Sequence, residues 1–361
     1  MSIVVEQPGA LSLVQDAGRF GFMQYGVTQS GAMDTEAYAA ANELVGNPAG
    51  AAEIEMTLMG MSCLFSAFCE FALTGADMDA RLDGIPVPRY QRLTADAGQR
   101  LTMGMAVSGC RAYLAVKGGI DVPVVMGSRS TNLRCKMGGF EGRALQAGDE
   151  LKIGTLTAGS EDGGDGPGRN VAVPPRYPSE VTVRAVAGPQ EEYFTEAGKK
   201  TFFETSYRVL PQSDRMGMRL SGPKVESCGS VDIISDGILF GSVQITNGGE
   251  PIIMMADHQT TGGYAKIATV CSFDLPRLAQ LRPGDQVRFE RVSVEEAQRL
   301  LLHPEERRRS ERTMQLPIGS FGRGAGTASG PESADDRAGS LLHRRHRRGW
   351  TKEPDRGFRH T

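Results

Sequence analysis

Gly127-Ser128-Arg129-Ser130-Thr131 in one half of the chain and His258-Gln259-Thr260-Thr261-Gly262-Gly263-Tyr264 in the other are Gly-rich, charge-bearing stretches at matching points. The first is followed by Gly138-Gly139 and Gly142-Arg143. Each then leads into a Gly-Asp turn, Gly148-Asp149-Glu150-Leu151-Lys152-Ile153 and Gly284-Asp285-Gln286-Val287-Arg288-Phe289. Small hydroxyls, glycines and a lone cation between strands are what a chain uses to bring backbone close to a ligand. Their repetition predicts two related β-domains, each with one functional loop, rather than a catalytic domain with an accessory.

The rest of the chain agrees with a mainly β reading. Short apolar runs such as Ile3-Val4-Val5, Phe71-Ala72-Leu73, Ala112-Tyr113-Leu114-Ala115-Val116, Val181-Thr182-Val183 and Ile252-Ile253-Met254-Met255 recur between Gly, Pro and Asp punctuation. That spacing suits barrels or sandwiches rather than alternating βαβ units. A few short helices are expected, at 34–44, where an Ala-rich stretch stops at Gly46-Asn47-Pro48, and at 189–198, 274–280 and 294–302. Residues 157–178 are mostly Gly, Pro, Asp and Ser and read as a linker. The expected organisation is therefore an N-terminal domain over 1–156, the linker, a C-terminal domain over 179–303, and a solvated basic tail over 304–361.

At 361 residues the chain is long enough for two such cores. Its net charge of −3 hides a split: from residue 305 onward 13 basic side chains meet 8 acidic ones, which leaves the body near −8. An acidic body argues against nucleic acid as the main partner. No run reaches the ~18 apolar residues of a membrane span, and the N-terminus has no basic or apolar leader. Six scattered cysteines without a Cys-x-x-Cys pair read as reduced thiols of a cytoplasmic protein. Of five histidines only His258 falls well inside the expected body, so no metal site is expected. Walker, Rossmann and Gly-x-Ser-x-Gly signatures are missing as well. Chemistry here must lean on Asp, Glu, Arg, Tyr and backbone amides.

Several residues qualify, each beside a structural alternative. Asp16 and Arg19 lie in a Gly-containing turn, as an Arg fork for a carboxylate or phosphate held by Asp16, or as a bracing ion pair. Asp34 is a helix cap, or a carboxylate aimed into a cleft. Glu53 and Glu55 share one strand face, as paired acids with split pKa values or as an exposed face. Arg111 and Tyr113 share another. Arg129, between two hydroxyls and beside Gly127, suits an anionic ligand, with Ser128, Ser130 and Thr131 around it. Asp214-Arg215 repeats the Asp16 unit, or closes a salt-bridged hairpin. His258 is a general base or a hydrogen-bonded structural residue. Thr260, Thr261, Gly262, Gly263 and Tyr264 would line a ligand from the second loop. The catalytic expectation is thus Asp16, Arg19, Asp34, Arg129, Arg215 and His258.

These motifs follow one another in a familiar order: Gln15-Asp16-x-Gly18-Arg19, Ser30-Gly31-Ala32-Met33-Asp34, Ala41-Asn42-x-Leu44-Val45-Gly46-Asn47, Thr74-Gly75-Ala76-Asp77, Gly127-Ser128-Arg129-Ser130-Thr131, Asp214-Arg215-Met216-Gly217 and Thr260-Thr261-Gly262-Gly263-Tyr264. Over roughly residues 3–297 the chain resembles the biotin-dependent carboxyltransferase / allophanate hydrolase subunit 2 family. That family includes the C subunit of the ATP-hydrolysing 5-oxoprolinase, KipA, and the carboxyltransferase region of urea amidolyase. The resemblance implies tandem cyclophilin-like β-barrel domains and a KipI-like partner, the B subunit. For the oxoprolinase reading it also implies a LamB/YcsF-like A subunit, with ATP shared among the three chains, to open 5-oxo-L-proline to L-glutamate; the chain alone is expected to be inactive. The alternatives are a KipA-like module that binds and regulates a KipI-like partner, and carboxyl transfer to urea or another amide. Transfer would need biotin carried by another protein, because no Met-Lys-Met attachment site occurs here.

Overall fold

The computed structural model describes residues 1–155 and 174–307. The expected linker, apart from residues 174–178, and the expected tail, apart from residues 304–307, lie outside the described residues. Tyr177, in the described part of the linker, is not loose: it is half-buried and its hydroxyl lies 3.0 Å from that of Tyr90. At the tail's start Arg307 pairs with Glu36 at 3.2 Å.

In the first half, period-two alternation builds two antiparallel sheets around one core. One sheet runs, edge to edge, Glu150–Lys152, Ser2–Gln7, Ser62–Phe65, Arg100–Thr102, Arg81–Leu82 and Ile85–Pro86. The other runs Leu11–Gln15, Glu53–Thr57, Ser108–Val116, Cys69–Asp77 and Arg92–Ala95. Ile3, Val5 and Phe65 of the first meet Val14, Ile54 and Leu114 of the second in the shared core. Register then fixes the opposite face of the second sheet. Gln15 pairs with Glu53, Leu13 with Glu55, and Tyr113 with both Glu55 and Thr74, so these side chains share the face turned away from that core. The helix Thr35–Val45 covers part of that face with Ala37, Tyr38 and Ala41 against Ala72, Tyr113 and Ala115. Asp34 caps it, accepting from Ala37 N at 2.9 Å, and Gly46 ends it in the left-handed region at φ 71°.

The second half closes into a seven-stranded barrel in the order Glu180–Ala187, Lys266–Val270, Ser242–Ile245, Pro251–Met254, Gly217–Ser221, Ser206–Val209 and Gln286–Arg291. Closure joins the first and last of these strands in chain order as a parallel pair, Glu180 opposite Gln286. Val183, Val243, Ile253, Ile267 and Val287 fill the core. The helix Glu196–Glu204 packs Phe202 onto Phe289, ring centroids 4.3 Å apart. The mainly β expectation thus holds, with the hydrogen-bonded ladder closed in the second half and divided between two sheets in the first.

Helix positions also follow the sequence, with one shift. The helix Val294–Leu302 starts on Ser293, whose hydroxyl accepts from Glu296 N. A short helix Leu275–Ala279 sits inside 274–280. The stretch expected to be helical from 189 begins with only one 3-10 turn, Glu191–Tyr193, because the true cap is Thr195 accepting from Gly198 N. Both cores belong to one compact unit. Among the described residues no helix is long and apolar enough to cross a membrane. All six cysteines are free, with Cys63, Cys69, Cys110 and Cys271 buried.

Candidate functional site

The first Gly-rich stretch is a knot tied by one carboxylate. Asp16 accepts from Ser128 Oγ (2.7 Å), Ser130 Oγ (2.5 Å), Arg129 N (2.5 Å) and Gly18 N (2.9 Å). It makes no ion pair with Arg19, so neither the expected fork nor the bracing pair forms. Arg19 is instead fully buried under the loop, donating from Nε to Val125 O at 2.9 Å and from Nη2 to Ser130 O at 3.0 Å. Its Nη1 has no partner among the described residues. Burial lowers its pKa, opposed by Asp16 and Asp257, which sets Asp257 within electrostatic reach. Thr131 spends its hydroxyl on Val14 O at 2.9 Å. The hydroxyls of Ser128, Ser130 and Thr131, expected to meet a ligand, therefore hold the loop. Arg129 differs: its Nε donates to Val122 O at 3.0 Å, and both Nη groups are uncommitted among the described residues. Beside this loop lies a cavity of about 490 Å³ lined by Val122, Val125, Gly138, Gly139, Phe140 and Lys152.

A second cluster spans the two halves. Arg215 pairs through Nη1 with Glu55 and through Nε with Asp257 at 2.8 Å, and Nη2 donates to Gly31 O at 2.6 Å. Asp214, its expected hairpin partner, instead accepts from Met216 N and Gly217 N in its own turn. Although burial disfavours its charge, Asp257 and Glu55 raise the Arg215 pKa above its ordinary value. Glu55 also accepts from Met33 N and Tyr113 Oη, both at 2.8 Å, and Tyr113 Oη accepts from Asp34 N at 2.8 Å. The chain of contacts ends at the Asp34 carboxylate, where Gln280 of the barrel half donates at 2.6 Å. The same Gln280 amide accepts from Cys110 N and Arg111 N and donates to Arg111 O, as a neighbouring strand would. Burial pushes the Asp34 carboxyl up to about 6.

Two other expectations shift. His258 is 1% exposed and its Nδ1 lies 2.7 Å from Gln259 O, so that nitrogen carries the proton and Nε2 is the acceptor. Burial lowers its pKa, which keeps it neutral at pH 7. Thr260 O accepts from Ile238 N, and Thr261–Tyr264, expected as a loop, is a strand paired with Asp232–Gly237 in a two-stranded ribbon. A Cβ at Gly262 would stand 2.5 Å from Ile238 Cδ1, the movable end of that side chain. Asp257 and Gln280 carry no sequence signal for these roles, which they gain only through packing.

Where Asp34 meets the barrel half, a cavity of about 710 Å³ opens between the start of the first helix, Tyr90, residues 175–178 and the short helix Leu275–Ala279. The arrangement thus has a buried seam in which one guanidinium holds two carboxylates, with an uncommitted cation, Arg129, on the loop at one end and a carboxyl of raised pKa at a cavity at the other.

Residues 25–291 match the carboxyltransferase domain, subdomain A and B. The chain is 42% identical over 289 residues to the 5-oxoprolinase C subunit of Escherichia coli, covering 80% of this chain and 91% of that protein. It is 39% identical to the Haemophilus influenzae protein of the same name, over 80% of this chain and 90% of the relative. Among solved structures, the K. lactis urea amidolyase superposes with a TM-score of 0.75 at 30% identity, over 87% of this chain but only 20% of that one.

Proposed function

The chain belongs to the carboxyltransferase domain, subdomain A and B, family, and from that premise we propose that it is the C subunit of a 5-oxoprolinase that opens 5-oxo-L-proline to L-glutamate. The observation that carries this reading is the match to two 5-oxoprolinase C subunits along nine-tenths of their length. Against the urea amidolyase the chain spans only a fifth. In this reading a KipI-like B subunit and a LamB/YcsF-like A subunit complete the enzyme in the cytoplasm, and ATP is a co-substrate shared with them.

Ring opening of a lactam develops charge on the amide oxygen and needs a proton moved to the ring nitrogen. Of the three arginines expected to act, Arg215 is saturated by Glu55, Asp257 and Gly31 O, and Arg19 is sealed under its loop. Arg129 retains Nη atoms that no described residue engages, and these can meet an anionic group. Asp34 is the carboxyl whose raised pKa suits proton transfer.

Co-expression with the B-like and A-like subunits, followed by an assay of glutamate and ADP from 5-oxoproline and ATP, tests the reading. Turnover that needs all three chains and drops at least tenfold in Arg129→Ala is the expected result. A stable complex with the B-like partner and no turnover would sink it.

A further inference from the structure

The 710 Å³ cavity is lined by the polar side chains of Glu36, Arg176, Gln280 and Arg307 and by three further polar groups whose hydrogen bonds frame a ligand-sized space. The Asp34 carboxylate has about four acceptor positions; Ala37 N and Gln280 Nε2 take two, and the Glu36 backbone N–H is a further donor to it. Tyr90 and Tyr177 form the second group. Tyr90 Oη accepts from Gly75 N at 3.1 Å, and the two phenol oxygens, 3.0 Å apart, share one proton. Two phenols own two O–H groups, so whichever donates, one O–H has no acceptor among the described residues. Arg277 is the third. Its Nη1 donates to Thr182 O at 2.7 Å and forms an ion pair with the buried Asp274 at 3.3 Å, while Nε and Nη2 are uncommitted among the described residues. Ala37, Val181, Phe273 and Pro276 supply apolar wall between these groups.

An acceptor, a donor and a cation around an apolar wall match the groups of one ligand class. We infer that this cavity seats a small cyclic amide bearing a carboxylate: the ring N–H donates to Asp34, the spare phenol O–H donates to the ring carbonyl, and Arg277 holds the carboxylate. The inference rests on the oxoprolinase reading and adds the place of the lactam, with Arg277 and the Tyr90–Tyr177 pair as binding residues that no sequence motif marks.

The test uses the reconstituted three-chain enzyme, with KM for 5-oxo-L-proline and KM for ATP measured separately. Arg277→Gln is expected to raise KM for 5-oxo-L-proline at least tenfold and leave KM for ATP unchanged. The wild type should favour 5-oxo-L-proline over 2-pyrrolidinone, the same ring without the carboxylate, and the variant should lose that preference. A merely structural Arg277 would not alter the preference. Arg277→Lys, which keeps the charge, should recover part of the affinity. Should Arg277→Gln fail to assemble, Tyr177→Phe is read in its place and should raise the same KM several-fold. An active enzyme whose KM for 5-oxo-L-proline is unmoved by these changes overturns the pocket and spares the oxoprolinase reading. A wild-type assembly without turnover ends both.

Discussion

Glu53 is a carboxyl group whose side-chain oxygens find no partner among the described residues. Both are buried, and so is the equally unpartnered Oε1 of Gln15, the residue directly across the strand pair. Burial raises the Glu53 pKa well above the ordinary 4.5. A protonated Glu53 has the O–H that an orphaned amide oxygen lacks. The consequence for stability has a definite sign. Unfolded, Glu53 loses its proton above pH 4.5, whereas folded it keeps it, so stability falls as pH rises, by about 1.4 kcal/mol per unit until the folded group also ionises. Glu53→Gln removes the titration. Its melting temperature should equal or exceed that of wild type at pH 8, with a flatter profile between pH 5 and 8; a profile as steep as wild type would contradict a neutral Glu53. The sequence shows that Glu53 and Glu55 share a strand face, because a strand alternates every two residues. It does not show that this face is covered, because the cover comes from a helix and from a half of the molecule more than a hundred positions away. The same distance explains why Asp257 and Gln280 are not legible as site residues.

At the scale of the element, the Gly127-Ser128-Arg129-Ser130-Thr131 stretch is conspicuous in composition yet opaque in purpose. Hydroxyls and a cation between glycines look the same whether they await a ligand or close on a carboxylate elsewhere, and here Asp16 claims them. Gly138 and Gly139 are what let a second loop lie on this knot. A Cβ at Gly138 would stand 2.1 Å from Ser130 O, in a residue whose φ is +68°. Gly148 also has positive φ, +90°, but nothing within 4 Å of its Cβ position. Gly148→Ala should therefore cost about 1 kcal/mol, the conformational penalty alone. Gly138→Ala should cost on the order of 3 kcal/mol, since backbone must also move. Urea unfolding of the two variants separates the effects, and equal losses would mean the loop is not packed as described. Helix signals are more legible where a cap precedes a clear run, as at Ser293, than where the capping Thr195 follows a turn.

Across the whole molecule, the order of motifs is enough to point to the family, because each motif answers a local demand that survives in the chain's own text. How the halves meet is not legible, since the seam is assembled from single residues. Arg215 is its keystone. Arg215→Met leaves Glu55 and Asp257 buried without their cation, and should cost about 3–5 kcal/mol in thermal or urea unfolding. Adding Glu55→Gln and Asp257→Asn should restore most of the loss, because the penalty belongs to stranded charge rather than to a missing bond. No recovery would argue against that account. The barrel has a further consequence, which concerns synthesis. Its first strand, Glu180–Ala187, pairs with its last, Gln286–Arg291, and the latter also borders Ser206–Val209. A ribosome releases the earlier two long before the strand that must slot between them. Throughout that interval each keeps an open edge, the kind of surface on which nascent chains stick to one another. Translation that stalls short of residue 291 leaves an unclosed ring, so the last strand made is also the one that withdraws the protein from aggregation.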